Sequence, residues 1–115
     1  MIRSYEDIEV YQRSKKLYPR LIRFLRTFPR EGRFLKDQSA RAGNTIHADI
    51  AEGFGRSVRE FKMYLTRALG SCNELKSHLD DASALDYGDK GEAESLIAGY
   101  TIVSKQIYRL RENWK

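Results

Sequence analysis

Residues 57–82 read SVREFKMYLTRALGSCNELKSHLDDA, and this stretch has the clearest helical periodicity in the chain. Its apolar and small side chains recur in alternating steps of four and three residues, the period of one face of an α-helix. The positions are Phe61, Leu65, Ala68, Cys72, Leu75, Leu79 and Ala82. Ser57 and Glu60 have the spacing of a capping box, in which both side chains bond to free backbone N–H groups. The stretch therefore predicts one long helix with a buried seam. A mid-helix glycine costs stability, so its presence indicates that a small residue is needed at that position. Gly70 and Ser71 therefore favour a close crossing with another helix.

Three other stretches show the same periodicity. The segment 90–114 places Leu96, Tyr100, Val103, Ile107, Leu110 and Trp114 on one face. The segment 7–28 places Tyr11, Ser14, Tyr18, Leu21, Leu25 and Phe28 on one face. Pro19 interrupts that segment, which predicts either one kinked helix or two shorter helices. The segment 31–54 has a thinner apolar line of Leu35, Ala42, Ile46 and Ile50.

Short connections between these amphipathic segments predict an all-α fold, an antiparallel up-down-up-down four-helix bundle. The 115 residues are enough for one domain, residues 1–115, and too few for two. The single cysteine excludes an intramolecular disulfide, and no apolar run reaches the ~20 residues of a membrane span. Because the first nine residues are acidic and do not resemble a signal peptide, we expect a cytoplasmic protein.

The end of the second segment carries the most specific pattern in the chain. Residues 45–56 read TIHADIAEGFGR, which resembles the signature of a bacterial family of four-helix bundles, the 23S rRNA intervening-sequence proteins. The resemblance implies a protomer of a ring-like homo-oligomer, a homopentamer. It also implies kinship with the accessory proteins of diversity-generating retroelements, which bind nucleic acid and a reverse transcriptase. Asp49 departs from the family pattern, which has Asn at this position, and an ionised carboxylate cannot donate a hydrogen bond as an amide does.

Basic residues concentrate at the start of the chain. Residues 1–36 hold ten Lys or Arg and four Asp or Glu, a net charge of +6, whereas residues 37–115 hold eleven and twelve, a net charge of −1. On a straight helix, part of this run forms one stripe opposite the apolar face. Such a stripe would bind nucleic-acid phosphates without sequence preference, and a solvated helix face is the alternative. The predicted nucleic-acid-binding residues are Arg13, Lys16, Arg20, Arg23, Arg26 and Arg30.

A polar row runs beside the apolar line of the second segment. It consists of Gln38, Arg41, Asp49, Glu52 and Arg56. Glu52 lies near the predicted C-terminus of the helix, where the helix dipole disfavours a negative charge. We therefore expect a cation to offset it, and Arg56 or Arg41, of the same or of a neighbouring subunit, is the candidate. The row is interpreted as a structural or subunit-interface network, and a partner-binding site or a catalytic site are the alternatives.

Two tyrosines, Tyr64 and Tyr108, lie off the predicted seams. Aromatic side chains are enriched in the cores of protein interfaces, so a contact between subunits is the favoured interpretation. Stacking on nucleic-acid bases is the alternative.

No pattern typical of an active site is present. Residues 53–57 lack the Gly-Lys-Ser/Thr ending of a P-loop, although the free N–H groups that follow Arg56 would suit one phosphate. His47 and His78 are not preceded by glutamate three residues earlier, as the histidines of di-iron bundles are. Cys72 lies on a seam and is predicted to be a small buried hydrophobe. We therefore expect no catalytic residues, no metal and no cofactor.

The sequence thus predicts a non-enzymatic, basic, homo-oligomeric bundle that binds the backbone of RNA or DNA, with a reverse transcriptase as the partner that the resemblance implies. The alternative is a structural or protein-interaction scaffold with no direct role in nucleic-acid binding. No contact with a membrane is expected.

Overall fold

Four long helices make up the computed structural model, which describes all residues from 1 to 115. They are α1 (Glu9–Leu25), α2 (Arg33–Gly53), α3 (Val58–Ala84) and α4 (Lys90–Asn113). Short 3-10 turns, Tyr5–Asp7 and Arg30–Gly32, precede α1 and α2, and there are no strands. Each helix packs on its neighbours in the chain, and α4 closes the bundle against α1. The predicted all-α four-helix bundle is confirmed. None of the helices has the length and apolar content that a membrane crossing demands.

The helix boundaries follow local capping chemistry. Ser57 Oγ accepts a hydrogen bond from the Glu60 N–H at 3.1 Å, and the Glu60 carboxylate accepts one from the Ser57 N–H at 3.4 Å, so the predicted capping box is confirmed. Helix α1 runs through Pro19 without a break and ends at Leu25, three residues earlier than predicted. After Leu25 the backbone bonds tighten to the 3-10 type, from the Thr27 N–H to the Phe24 carbonyl at 3.0 Å and from the Phe28 N–H to the Leu25 carbonyl at 3.1 Å, and the Pro29 ring disfavours helical backbone at Phe28.

The predicted seams form a single core to which all four helices contribute, a cluster of 19 buried residues. The α3 seam is buried throughout, from Phe61 to Ala82. The predicted positions Phe28, Leu110 and Trp114 lie at the ends of this core and are only partly buried. Burial of the long apolar stripes is the main stabilising contribution to such a bundle.

Two glycines of α2 determine how closely its neighbours approach. A Cβ atom at Gly43 would lie 2.5 Å from Leu21 Cδ2 on α1, and a Cβ atom at Gly53 would lie 2.6 Å from Tyr64 Cβ on α3. Both distances are too short for a side chain, so these helices can pack this closely only on glycine. No close crossing occurs at Gly70 within the subunit, because a Cβ atom there would meet nothing within 4 Å.

The bundle has two structurally different ends. At the connection end, residues 26–32 between α1 and α2 pack against residues 85–89 between α3 and α4, where the ring centres of Phe28 and Tyr87 are 5.7 Å apart. At the terminal end, which holds both chain termini and the α2–α3 turn, the Trp114 ring lies 4.8 Å from that of Phe61. The 44 Å length of the molecule separates these two ends.

Candidate nucleic-acid interface

Two of the predicted phosphate-binding residues of α1 are engaged by other side chains of the bundle. Arg20 Nε and Nη2 donate to the Glu92 carboxylate of α4 at 3.0 and 2.9 Å. Arg13 Nε donates to Gln106 Oε1 of α4 at 3.1 Å, and its Nη2 lies 4.0 Å from the Glu9 carboxylate. The prediction that Arg13 and Arg20 belong to a free stripe is therefore wrong, because the flank of α1 that carries them packs against α4.

The Arg20–Glu92 pair is bidentate but half-open to solvent. Hydrogen bonding from Arg20 lowers the pKa of Glu92, with a smaller contribution from the charge of Arg23, and the same pair raises the pKa of Arg20. The two side chains are 34% and 35% exposed, so screening by water limits the pair to about 1 kcal/mol or less. It fixes α4 against α1 and removes one cation from the free surface.

The other four predicted cations are free. Lys16, Arg23, Arg26 and Arg30 are exposed, and no carboxylate lies within 4.0 Å of their charged nitrogens. Arg33 and Lys36, at the start of α2, share both properties. We call Arg23, Arg26, Arg30, Arg33 and Lys36 the basic corner. The chain reversal between α1 and α2 brings these residues to one end of the bundle, which a single-helix projection of α1 does not show.

The opposite side of the connection end is acidic. Between residues 80 and 94 the chain carries six Asp or Glu and one Lys. Asp86 pairs with Lys90 at 3.1 Å, whereas Asp80, Asp81 and Glu94 have no cation within 4.0 Å. The connection end therefore has a cationic side on α1 and α2 and an anionic side on α3 and α4, so a polyanion is steered to the former.

The polar row of α2 divides into two clusters along α3. In the first cluster, Arg41 Nη2 donates to Gln38 Oε1 at 3.1 Å and pairs with the Glu74 carboxylate of α3. His78 Nε2 lies 3.2 Å from the same carboxylate. Gln38 and Arg41 thus join a network that links α2 to α3 within one subunit.

Asp49 belongs to the second cluster and is buried, with 3% of its surface exposed. Its Oδ1 lies 3.7 Å from Arg67 Nη2, and its Oδ2 has no hydrogen-bond partner. Burial raises the pKa of Asp49, the nearby Arg67 opposes the rise, and the charge of Glu52 adds to it. The carboxylate that replaces the amide of the family pattern is therefore incompletely satisfied.

The charge of Glu52 is not offset as expected. No cation lies within 4.0 Å of its carboxylate, so the prediction that Arg56 or Arg41 of the same chain offsets it is wrong. Arg56 donates instead to the backbone carbonyl of Glu52 at 2.9 Å and lies over the Tyr64 ring, 5.0 Å from its centre. A cation at this position bonds to the free carbonyls at the end of α2, which is a structural role.

The N-terminus of α3 is also used within the chain. The Glu60 carboxylate accepts hydrogen bonds from the N–H and the hydroxyl of Ser57, and these bonds lower the pKa of Glu60. A carboxylate thus occupies the position that a phosphate would take, so the alternative of a phosphate site at 53–57 is not supported.

Two buried titratable groups lie in the core. Cys72 is buried as predicted; its thiol donates to the Tyr100 carbonyl at 3.1 Å, and burial raises its pKa. His47 lies against the rings of Tyr11 and Tyr18, and burial, together with the charge of Lys15, lowers its pKa to about 4. Nowhere do three or more His, Cys, Asp or Glu side chains come together as potential metal ligands.

The fold and its exposed charges define an antiparallel four-helix bundle with a cationic corner at one end. The chain matches the profile of the family described as 23S rRNA-intervening sequence protein over residues 6–109. It therefore belongs to this family, and the resemblance found in residues 45–56 is confirmed.

A solved structure shares the whole fold. The crystal structure of a protein of unknown function from the S23 ribosomal protein family of Bacteroides thetaiotaomicron VPI-5482 aligns with a TM-score of 0.82 at 22% identity, covering 90% of this chain and 99% of that one. At this identity the likeness concerns the fold alone. No curated protein matches the chain significantly.

Proposed function

We propose that this protein is a non-enzymatic bundle that binds the phosphate backbone of RNA or DNA through the basic corner and Lys16. The observation that carries the proposal is that these side chains are exposed and lack a carboxylate partner within 4.0 Å. Unpaired cations release counterions from a polynucleotide when they contact its phosphates, and arginine matches phosphate geometry well. The family description, which refers to an intervening sequence of 23S rRNA, agrees with an RNA ligand.

The salt dependence of RNA binding tests this proposal. We would measure fluorescence anisotropy of a generic single-stranded RNA between about 50 and 200 mM salt, where each phosphate contact contributes about −0.7 to the logarithmic slope. Replacing Arg23, Arg26 and Arg30 by Gln should therefore reduce the slope by about 2.

A matched control removes the same charge elsewhere. Arg13, Arg20 and Arg41 each contact acceptors within the bundle, and replacing all three by Gln should leave the slope almost unchanged. Circular dichroism must show that both triple variants are folded. Binding that does not depend on salt, or an equal loss of slope in the two triple variants, would refute the proposal.

The proposal includes a homo-oligomer, for which the ring-like pentamer of the family is the expected assembly. Phe34 on α2 and Met63 on α3 are 71% and 55% exposed, and the exposed residues Ala48 and Gly70 on the same helices carry no charge. Aromatic side chains and Met are enriched in the cores of protein interfaces, which favours a contact at these positions. Multi-angle light scattering should give a mass above that of the 13.4 kDa chain. Phe34→Glu with Met63→Glu should reduce it, whereas Ile102→Glu, at an apolar site of α4 that is 45% exposed, should not.

The same apolar positions favour the alternative function, a protein-interaction scaffold. A reverse transcriptase is the partner that the family resemblance implies, and a cytoplasmic location would keep the buried thiol of Cys72 reduced. Capture of a purified reverse transcriptase that survives nuclease treatment, by a protein that shows no RNA binding, would favour the scaffold over the nucleic-acid-binding function.

A further inference from the structure

A groove between α3 and α4 holds an exposed aromatic ring among cations. Leu69 of α3 and Ser104, Lys105, Tyr108 and Arg109 of α4 line a cavity of about 410 Å³. The groove lies in the half of the bundle nearer the terminal end, because Tyr108 is close to the end of α4. It is therefore separate from the basic corner and from the polar row of α2.

Arg111 packs against the ring of Tyr108. The guanidinium carbon of Arg111 lies 5.2 Å from the centre of the Tyr108 ring. Its Nη1 donates to Thr66 Oγ1 on α3 at 3.1 Å, and its Nε donates to the Glu112 carboxylate at 3.2 Å. The ring nevertheless keeps 53% of its surface exposed. A ring that is already oriented and still open to solvent loses little conformational entropy when a flat ligand stacks on it.

The charges around the ring favour a polyanion over a second protein. Lys105 and Arg109 are exposed beside Tyr108, and neither has a carboxylate within 4.0 Å. Protein interfaces are depleted in Lys, whereas surfaces that bind single-stranded nucleic acid combine cations along the backbone with aromatic rings that stack on bases. Tyr64, the other tyrosine off the seams, is only partly exposed and has two arginines over its ring, Arg56 and Arg67, whereas only Arg111 lies over the ring of Tyr108.

We propose that this groove binds a nucleotide of a single-stranded nucleic acid, with its base stacked on Tyr108 and the flanking phosphates at Lys105 and Arg109. This inference rests on the proposed function and adds a preference for single strands. The preference arises because bases inside a duplex are already stacked on each other and are not presented to an aromatic side chain.

The test compares Tyr108→Ala with Leu85→Ala, a control that removes an apolar side chain of similar exposure, 55% against 53%, from the connection between α3 and α4. For a single-stranded oligo(U) of about 12 nucleotides, Tyr108→Ala should weaken binding by about five- to one-hundred-fold, the effect of losing one stacked base, with no change in salt slope. Tyr108→Phe should bind like the wild type, since the ring is retained, and Leu85→Ala should also bind like the wild type. Lys105→Gln with Arg109→Gln should reduce the slope by about 1.4.

Two further ligands complete the experiment. An oligo(dT) of the same length separates the two sources of a single strand: a loss with both ligands supports stacking of the base alone, and a loss confined to RNA supports stacking with an added contact to the ribose hydroxyl. Affinity for a duplex of the same length should not change in Tyr108→Ala.

The inference is overturned if Tyr108→Ala binds single strands like the wild type, if it loses duplex and single-strand affinity equally, or if it lowers the molar mass of the assembly. If the groove variants bind nucleic acid like the wild type while the basic-corner variants show a smaller salt slope, the groove assignment fails and the proposed function stands. A wild-type protein that binds no nucleic acid refutes both.

Discussion

Replacing Asp49 by Asn, the residue of the family pattern, should stabilise the protein at neutral pH. The Asp49 carboxylate is buried with one oxygen unbonded, and a buried unsatisfied polar group costs about 1–3 kcal/mol. Arg67 offsets little of this cost, because it is 3.7 Å away and 57% exposed, which limits such a pair to about 0.5 kcal/mol. The amide removes the charge and keeps the shape, so we expect a gain of about 1–2 kcal/mol in the free energy of unfolding. For 115 residues this corresponds to a rise in Tm of about 4–8 °C.

The pH dependence of this gain follows from the raised pKa of Asp49. The folded state holds the proton more tightly than the unfolded chain does, so the stability contributed by the protonated carboxyl is fully present below the unfolded pKa and is lost as pH rises through the folded pKa. The gain in the free energy of unfolding from Asp49→Asn should therefore be full at neutral pH. It should shrink near pH 3.9, because this is about the ordinary pKa of aspartic acid.

Urea denaturation followed by far-UV circular dichroism at both pH values measures the difference between the two proteins. Any effect of His47 titration is common to both and cancels. Asp37→Asn, which neutralises an exposed carboxylate on the same helix, serves as the control and should change stability by less than about 0.5 kcal/mol. The reasoning is refuted if Asp49→Asn is no more stable at neutral pH, or if its gain is the same at both pH values.

Three further perturbations test other parts of the bundle. The pKa of His47 is lowered from 6.5 to about 4. The neutral imidazole therefore stabilises the folded state fully above pH 6.5, and up to about 3 kcal/mol of the free energy of unfolding is lost as pH falls towards 4. His47→Phe should remove this pH dependence from the stability measured by urea titration. Gly70→Ala should raise the free energy of unfolding by about 1 kcal/mol, because the position is helical and open, whereas Gly53→Ala should lower it by about 1–3 kcal/mol through the clash with α3. Glu92→Gln should cost about 1 kcal/mol or less by breaking the bidentate pair with Arg20, and a larger loss in thermal denaturation would show that the pair is less screened than its exposure indicates.

The periodic apolar pattern was sufficient to predict the four helices and their order. A seam such as that of α3 must repeat with the helix period to stay buried, so the constraint is visible within one segment. The apolar pattern of α1 continues to Phe28, so it predicts a helix up to that residue. The pattern does not show that the backbone before Pro29 leaves the α-helix at Leu25. The crossing glycines are different, because the sequence does not show which glycine meets a neighbouring helix; the position of that helix determines it.

The candidate interface was only partly predictable for a related reason. A helical projection shows which face of α1 lies opposite its apolar stripe, but it does not show which flank meets α4. The partner of Arg20 is Glu92, 72 positions away in the chain, and the sequence of α1 alone does not predict this pair. For the same reason, the inclusion of Arg33 and Lys36 with Arg23 depends on the reversal of the chain between α1 and α2.

Neutralising two cations of the basic corner should leave the protein at least as stable as before. Arg26 and Arg30 are exposed and unpaired, and they lie among like charges that repel one another. Arg26→Gln with Arg30→Gln should therefore raise the free energy of unfolding by about 0.3 kcal/mol at low salt, an amount typical of exposed charge pairs.

This gain should disappear near 1 M salt, where the screening length falls to about 3 Å. The same double variant should lose about 1.4 of the salt slope in RNA binding. If the double variant gains stability and loses RNA binding, then Arg26 and Arg30 bind a ligand and do not stabilise the fold. A clear loss of stability would instead mean that the arginine stems pack on the bundle, and these side chains could then no longer be regarded as free for phosphate.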